Sequence, residues 1–393
     1  NAKSLAFDKK GSMYVTFSAP TNACEDQNSK MNSSNSIVRG ENPCSQLNIL
    51  GGIWKFDENK LNQTQKDGTL FATGLRSIVG LSWNDNDDNL YAVNHGRDYL
   101  HNHAPNYFSK WENSILPAEE FMVIKQNDDF GWPYTYYDHF KDKRMLAPEY
   151  GGDGKIEAKG YTDPIMGLPA HWAPNDLLFY KGEQFPERYK NGAFVAFHGS
   201  TNRGPYPQAG YIVAFVPFEN GKPSGEWEVF ADGFAGLDTI VNVSDAKYRP
   251  MGLAEGPDGS LYVNDSKKGK IWRILYKEDK SKFNPSALAK MEIRKNTANN
   301  IKTPDAVKDI IQIKYSKIGA QLYQTYCTNC HQSNLNGDGN RNPSLIKSNY
   351  LNDKSSFRNL ISNGKGNMPA FKNISDKEID ELESYLQSVI NKK

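Results

Sequence analysis

The chain has 393 residues, a formal net charge of +1 and 12% aromatic side chains. That length asks for at least two domains. The balanced charge gives no reason to invoke nucleic acid or an anionic membrane, and no apolar run is long enough to span a bilayer.

Residues 1–276 read as strands that repeat. Ser4-Leu5-Ala6-Phe7 leads through Gly11 to Met13-Tyr14-Val15, and Gly80-Leu81-Ser82-Trp83 leads through Asn89 to Leu90-Tyr91-Ala92-Val93. Asp176-Leu177-Leu178-Phe179-Tyr180 leads, after a longer insertion, to Gly192-Ala193-Phe194-Val195-Ala196. Gly252-Leu253-Ala254 leads through Gly256-Pro257-Asp258-Gly259 to Leu261-Tyr262-Val263. Third strands are expected at 52–56, 210–215 and 269–274. Repeated hairpins of this kind predict an all-β propeller rather than a β-sandwich, which lacks such self-similarity. Four blades can be counted. A closed propeller of this type wants about six, so one or two are expected ahead of Asn1. Cys24 and Cys44 lie in a polar loop rich in Asn, Ser and Pro. In an oxidising compartment a disulfide between them is expected over two free thiols, stabilising by roughly 3 kcal/mol on the loop-entropy model.

Residues 277–316, rich in Lys, Asn, Asp and Ser, read as a linker or interdomain strap, and Ile310, Ile311 and Ile313 suggest that part of it packs on a domain surface. Residues 317–393 read as a small helical domain. Its centre is Cys327-Thr328-Asn329-Cys330-His331. A C-x-x-C-H run is the covalent attachment site of a c-type haem, with two thiols for the vinyl groups and an imidazole for the iron. A thioredoxin-like pair would sit in a βαβ unit, and a zinc site would need further ligands, but no Cys or His follows His331. Met368, in the Gly-rich loop Gly364-Lys365-Gly366-Asn367-Met368-Pro369, is the candidate second axial ligand. Its bland reading is a core filler. Ile318, Leu322 and Tyr326 form a helical stripe before the Cys pair. Ser375-Asp376-Lys377-Glu378 reads as a capping box before Ile379, Leu382, Leu386 and Val389. This unit resembles class I cytochrome c, in which such a Met-Pro loop carries the distal ligand. Covalent haem implies export to a bacterial periplasm or an equivalent compartment. The chain shows neither initiator Met nor signal peptide, so its N-terminus reads as processed or truncated.

Five further motifs run through the strand region: Gly74-Leu75-Arg76-Ser77, His95-Gly96-Arg97-Asp98, Asp129-Phe130-Gly131-Trp132-Pro133, His198-Gly199-Ser200-Thr201-Asn202-Arg203 and Ala246-Lys247-Tyr248-Arg249-Pro250. On these, residues 1–276 resemble the soluble aldose and sorbosone dehydrogenases that use pyrroloquinoline quinone (PQQ), which are six-bladed propellers. The resemblance implies that Arg76, Lys247 and Arg249 hold the PQQ carboxylates. Guanidinium forks suit those groups. It implies further cofactor contacts at Asn202 and Arg203, and puts His171, within Pro169-Ala170-His171-Trp172-Ala173-Pro174, in the loop over the quinone. The backbone carbonyls of Gly96 and Arg97 match the family's calcium ligands, and Ca²⁺ favours such hard oxygens. The family's histidine base would fall immediately before Asn1.

The expected function is that of a quinohaemoprotein. A sugar or related aldehyde or hemiacetal is oxidised at PQQ, and electrons leave through haem c to an external acceptor such as a cytochrome, a cupredoxin or an oxidase. Fusion makes that first transfer intramolecular. Three alternatives stay open. The propeller is a non-catalytic docking module for the cytochrome, it oxidises a non-sugar alcohol or an attached polysaccharide, or it has lost PQQ altogether, as the departure at Thr201-Asn202 allows.

Overall fold

The segment Ala193–Phe197, Ala-Phe-Val-Ala-Phe, is buried at every position. A short apolar run of β-formers with no polar face belongs in the interior of a layered sheet structure. In the computed structural model it is flanked by Pro174–Phe179 and Ile212–Val216, with Val195 opposite Leu177 on one side and Ala214 on the other. Glu228–Ala231 completes a four-stranded sheet. The structure describes residues 4–25 and 38–302, and in the C-terminal part 319, 322–323, 326–332, 335–337, 342–346, 348–372 and 374–390.

Three more sheets follow the same plan. The first comprises Leu5–Phe7, Ser12–Phe17, Gly52–Asp57 and Thr69–Thr73, with Asp128–Asp129 added parallel to the last strand. The second holds Ile78–Asn84, Asn89–Asn94, Glu119–Ile124 and Met166–Leu168, and the fourth holds Pro250–Glu255, Leu261–Asp265 and Ile271–Ile274. The four expected hairpins each form one edge of a sheet. The strand Glu119–Ile124, paired on both sides, was not foreseen from the sequence. One tight turn shows why the sequence is specific. Gly259 has φ +78°, and a Cβ there would stand 3.0 Å from the Gln184 amide nitrogen, so glycine alone fits without strain. Between the sheets lie aromatic-rich cores. One gathers Tyr91, Phe121, Trp172, Phe179 and Phe197, and another Tyr180, Phe194, Phe215 and Leu261.

Cys24 and Cys44 are disulfide-bonded. The strap region begins differently from its composition. Asn284 caps a helix, Pro285–Thr297, with proline at its first turn. Arg294 pairs with Asp232 at 2.8 Å, and Lys295 lies 4.1 Å over the Trp227 ring while donating to Trp227 O. Ala298 and Ile301 are buried in the sheet core. Ile310, Ile311 and Ile313 fall outside the described residues, as do Asn1 and Ile318.

The chain divides into two compact units, residues 1–203 with 208–303, and 304–393 with 204–207. In the second, helices Lys354–Asn363 and Asp376–Ile390 pack through Phe357, Ile361, Leu382 and Leu386. Ser375 and Glu378 form the expected capping box, the serine amide donating to the glutamate at 2.9 Å. Among the described residues no helix is long and apolar enough to cross a membrane.

Candidate functional site

The second unit encloses a cavity of about 570 Å³. That is within the roughly 300–1,000 Å³ usual for a small-molecule or cofactor site. Cys327, Cys330, His331 and Met368 all line it, with Leu345, Tyr350, Phe357 and Leu382 among its apolar walls. The short helix Thr328–His331 presents Cys330 and His331, and Cys327 immediately precedes it. His331 is buried, and its Nδ1 lies 2.9 Å from Pro343 O. A carbonyl can only accept, so Nδ1 carries the hydrogen and Nε2 keeps its lone pair for a metal. Met368 is fixed by a tight turn in which Lys365 and Met368 exchange backbone hydrogen bonds at 3.0 Å. The turn follows Gly364, φ +72°, where a Cβ would come 2.5 Å from Met368 O. The glycines of this loop therefore serve to deliver the methionine. Burial pushes the Cys327 thiol up to about 12, so it stays protonated and inert in the protein alone. Two thiols, an imidazole with its lone pair free and a thioether around an apolar cavity fit a covalently held haem.

In the first unit the predicted cations lie in loops at strand ends. Arg76 donates from Nη1 to Gly96 O at 2.7 Å and from Nη2 to Asp98 Oδ2 at 3.2 Å, while its buried Nε has no hydrogen-bond partner. Asp98 also takes His171 Nδ1 at 3.0 Å, and the Asn202 amide donates to it. The other nitrogen of His171, Nε2, lies 2.7 Å from Asn113 O. Both neighbours of this ring are acceptors, so both nitrogens carry hydrogen and His171 is an imidazolium. Burial opposes that charge, but the Asp98 carboxylate outweighs it and holds the pKa above the usual histidine value. Asp98 is held well below the carboxylate range, because His171, Arg76 and Asn202 together outweigh its burial. Arg76, His171 and Asn202, predicted separately, therefore meet at a carboxylate that was quoted in a motif but given no role.

Glu119 joins two loops of this cluster. Its Oε2 accepts from Gly96 N at 2.7 Å and its Oε1 from Ala173 N at 2.9 Å. Burial pushes its carboxyl up to about 7. Nothing in the sequence marks it, since its partners are main-chain amides. Arg249 donates to two carbonyls, from Nε to His198 O at 3.0 Å and from Nη2 to Gly199 O at 2.9 Å. Among the described residues it has no carboxylate partner, and burial lowers its pKa. His95 and His198 interact with each other and are pushed down to about 4, each first by burial, then by Arg76 and Arg249 respectively. Both are neutral bases. Lys247 is exposed, with its ammonium 5.5 Å from the Tyr248 ring centre. Arg203 is buried and donates to Lys302 O at 3.4 Å.

The three cations expected to stand unpaired around an anionic ligand thus divide: Arg76 has a carboxylate partner, while Arg249 and Lys247 pair with none among the described residues. Among the described residues, a half-buried guanidinium satisfied by carbonyls and a second guanidinium with a buried, unpartnered Nε fit an anionic quinone. Of the two carbonyls expected to hold calcium, that of Gly96 already has a donor. The Gly96 carbonyl accepts from the Arg76 guanidinium, so a cation on that oxygen would face a fixed positive charge. The Arg97 side chain is sunk in a buried ion pair with Glu149, its Nη2 donating to Asp98 O at 3.0 Å. Among the described residues, no group of three His, Cys, Asp or Glu could hold a metal ion.

Comparison with known proteins bears on both units. The TrAA12-like family model matches residues 26–277, and that of cytochrome C oxidase, cbb3-type, subunit III matches residues 316–386. An uncharacterized protein of Borreliella burgdorferi is 28% identical over 221 residues, which are 56% of this chain and 52% of that one. The pyrroloquinoline quinone-dependent sugar dehydrogenase of Hypocrea jecorina is 22% identical over 231 residues, 54% of this chain and 50% of that one. The chain spans about half the length of these curated relatives. Among solved structures, the iodide structure of Trichoderma reesei carbohydrate-active enzymes family AA12 gives a TM-score of 0.50 at 18% identity. It covers 69% of this chain and 67% of that one, a likeness of fold.

Proposed function

The chain belongs to the TrAA12-like family, and on that premise we propose that it is a quinohaemoprotein dehydrogenase, oxidising a sugar or related aldehyde or hemiacetal and passing the electrons out through its cytochrome unit. The observation that carries this is the joining, in one chain, of a TrAA12-like unit with a cavity walled by Cys327, Cys330, His331 and Met368. When bound, PQQ supplies a two-electron oxidant and haem c a one-electron carrier. Arg249 and Lys247 bring donors to the quinone's carboxylates. Arg76 adds its unpartnered Nε, its fork being held by Asp98 and Gly96 O. Asn202 and the His171 imidazolium fix Asp98 from behind, so His171 acts through that carboxylate rather than through a free ring nitrogen. Arg203 belongs to the same loop as Asn202. In the cytochrome unit, Cys327 and Cys330 would hold the haem covalently, and His331 Nε2 and Met368 Sδ would bind its iron. The same reading takes the four sheets as part of a six-bladed ring and places the protein outside the cytoplasm, with a cytochrome, cupredoxin or oxidase as its acceptor.

The test is anaerobic addition of an aldose to the full-length protein with and without PQQ, following the haem absorption. Reduction of the haem that requires both sugar and PQQ is expected. Reduction of an added dye while the haem stays oxidised would contradict the electron path. Reduction of neither would contradict the dehydrogenase and favour a docking module.

A further inference from the structure

Beside Arg249, Lys247 belongs to a cluster whose other lysines, Lys268 and Lys270, the chemistry above does not use. Lys247, Lys268 and Lys270 place their ammonium groups 5.5, 5.5 and 5.4 Å from the centre of one ring, Tyr248, and Lys270 is also 5.8 Å from the Trp272 ring. All three lysines are exposed. Among the described residues none of them forms an ion pair with a carboxylate. The acids nearest to them in sequence are engaged by backbone amides. Asp265 accepts the backbone amides of Arg249, Lys267 and Lys268, and Asp245 those of Val241 and Asn242. Lys267 donates to the carbonyls of Ser244 and Ala246, which ties the 266–270 loop down without neutralising it. Like charges gathered around one ring repel, and cation–π attraction at exposed sites returns only about 0.5–1 kcal/mol. An anion is the ordinary remedy.

The loop is also joined to the proposed cofactor site. Ser266 Oγ lies 2.6 Å from His198 Nε2, and Ser266 N donates to Arg249 O at 3.1 Å. An anion held by Lys268 and Lys270 therefore sits beside the residues assigned to the quinone, where a substrate has to approach. Tyr248 and Trp272, edge to face with centroids 5.0 Å apart, add an aromatic wall of the kind that suits an amphipathic ring.

We infer that Lys268 and Lys270 form a subsite for the acidic group of an anionic saccharide, so that the preferred substrate class is a uronate or another carboxylate-bearing sugar. This rests on the dehydrogenase reading for its position, but the binding site stands on the lysines alone. Galacturonate oligosaccharide and a neutral oligosaccharide of equal length are titrated calorimetrically into cofactor-free full-length protein and into its Lys268→Gln/Lys270→Gln variant. The acidic ligand should bind about tenfold more tightly than the neutral one, an advantage on the scale of two favourable surface ion pairs. That advantage should vanish in the variant and at about 0.5 M salt, with neutral-ligand binding unchanged. Equal affinity of wild type and variant for the acidic ligand would overturn the inference, as would tighter lysine-dependent binding of duplex DNA. Lysine-dependent binding of the acidic sugar with no sugar-dependent haem reduction in PQQ-loaded protein would uphold the subsite and overturn the dehydrogenase reading instead.

Discussion

In the cytochrome unit, Cys327, Cys330 and His331 share one short helical stretch, and a single glycine-governed turn brings Met368 to the same cavity. In the TrAA12-like unit, Arg76, Asp98, His171, Asn202 and Arg249 come from separate loops and Glu119 from a strand end, and they are knitted together largely through main-chain atoms. A site made locally owes its geometry to spacing. A site made across sheets owes it to buried carboxylates and carbonyls that no spacing announces. The contrast predicts that the first should fail by losing its ligand while its fold survives, and the second by losing stability and affinity together.

The largest effect falls on the local site. Cys327→Ser/Cys330→Ser should remove covalent attachment altogether, so that acidified organic solvent extracts all haem from the denatured variant and none from the wild type. Met368→Ala should leave attachment intact and change the visible spectrum and lower the reduction potential. An unchanged spectrum would remove Met368 from the iron.

The next falls on the scattered site. Arg97 and Glu149 are ion-paired with side-chain exposures of 3% and 0%, and His103 shares the same carboxylate. Glu149→Ala strands a buried guanidinium and should cost about 3–5 kcal/mol in denaturant unfolding. Because Arg97 also holds the Asp98 carbonyl, PQQ affinity should fall with it. A stable variant with unaltered affinity would show that the two are not coupled.

A smaller, pH-dependent effect comes from Glu119. Its folded pKa of about 7 lies above the ordinary 4.5, so the native state binds this proton more tightly than the unfolded state does. Its contribution to stability is therefore fully present below about 4.5 and is lost as pH rises to about 7, by about 3 kcal/mol. Glu119→Gln should flatten that slope when unfolding is measured at about pH 5 and about pH 7.5.

These differences also explain what could be read in advance. The C-x-x-C-H run, the Met-Pro loop, the Ser375–Glu378 cap and the four hairpins are set by near neighbours, and local pattern reveals them. Asp98 stood inside a motif, but its role depends on His171 and Arg76, which only the fold brings to it. Glu119 opens a strand that the sequence pattern did not announce, and its partners Gly96 and Ala173 contribute backbone amides. Helix Pro285–Thr297 was missed because its composition is polar, although Asn284-Pro285 is a legible helix start.

The claim that scattered loops converge on an anionic cofactor is tested most directly at Arg249, whose side chain donates to the carbonyls of His198 and Gly199 and, among the described residues, to no carboxylate. PQQ titrated into the cofactor-free full-length protein should bind Arg249→Ala more weakly than wild type by about 1.5–3 kcal/mol, the worth of a charge-assisted hydrogen bond. Equal affinity in the two proteins would contradict it.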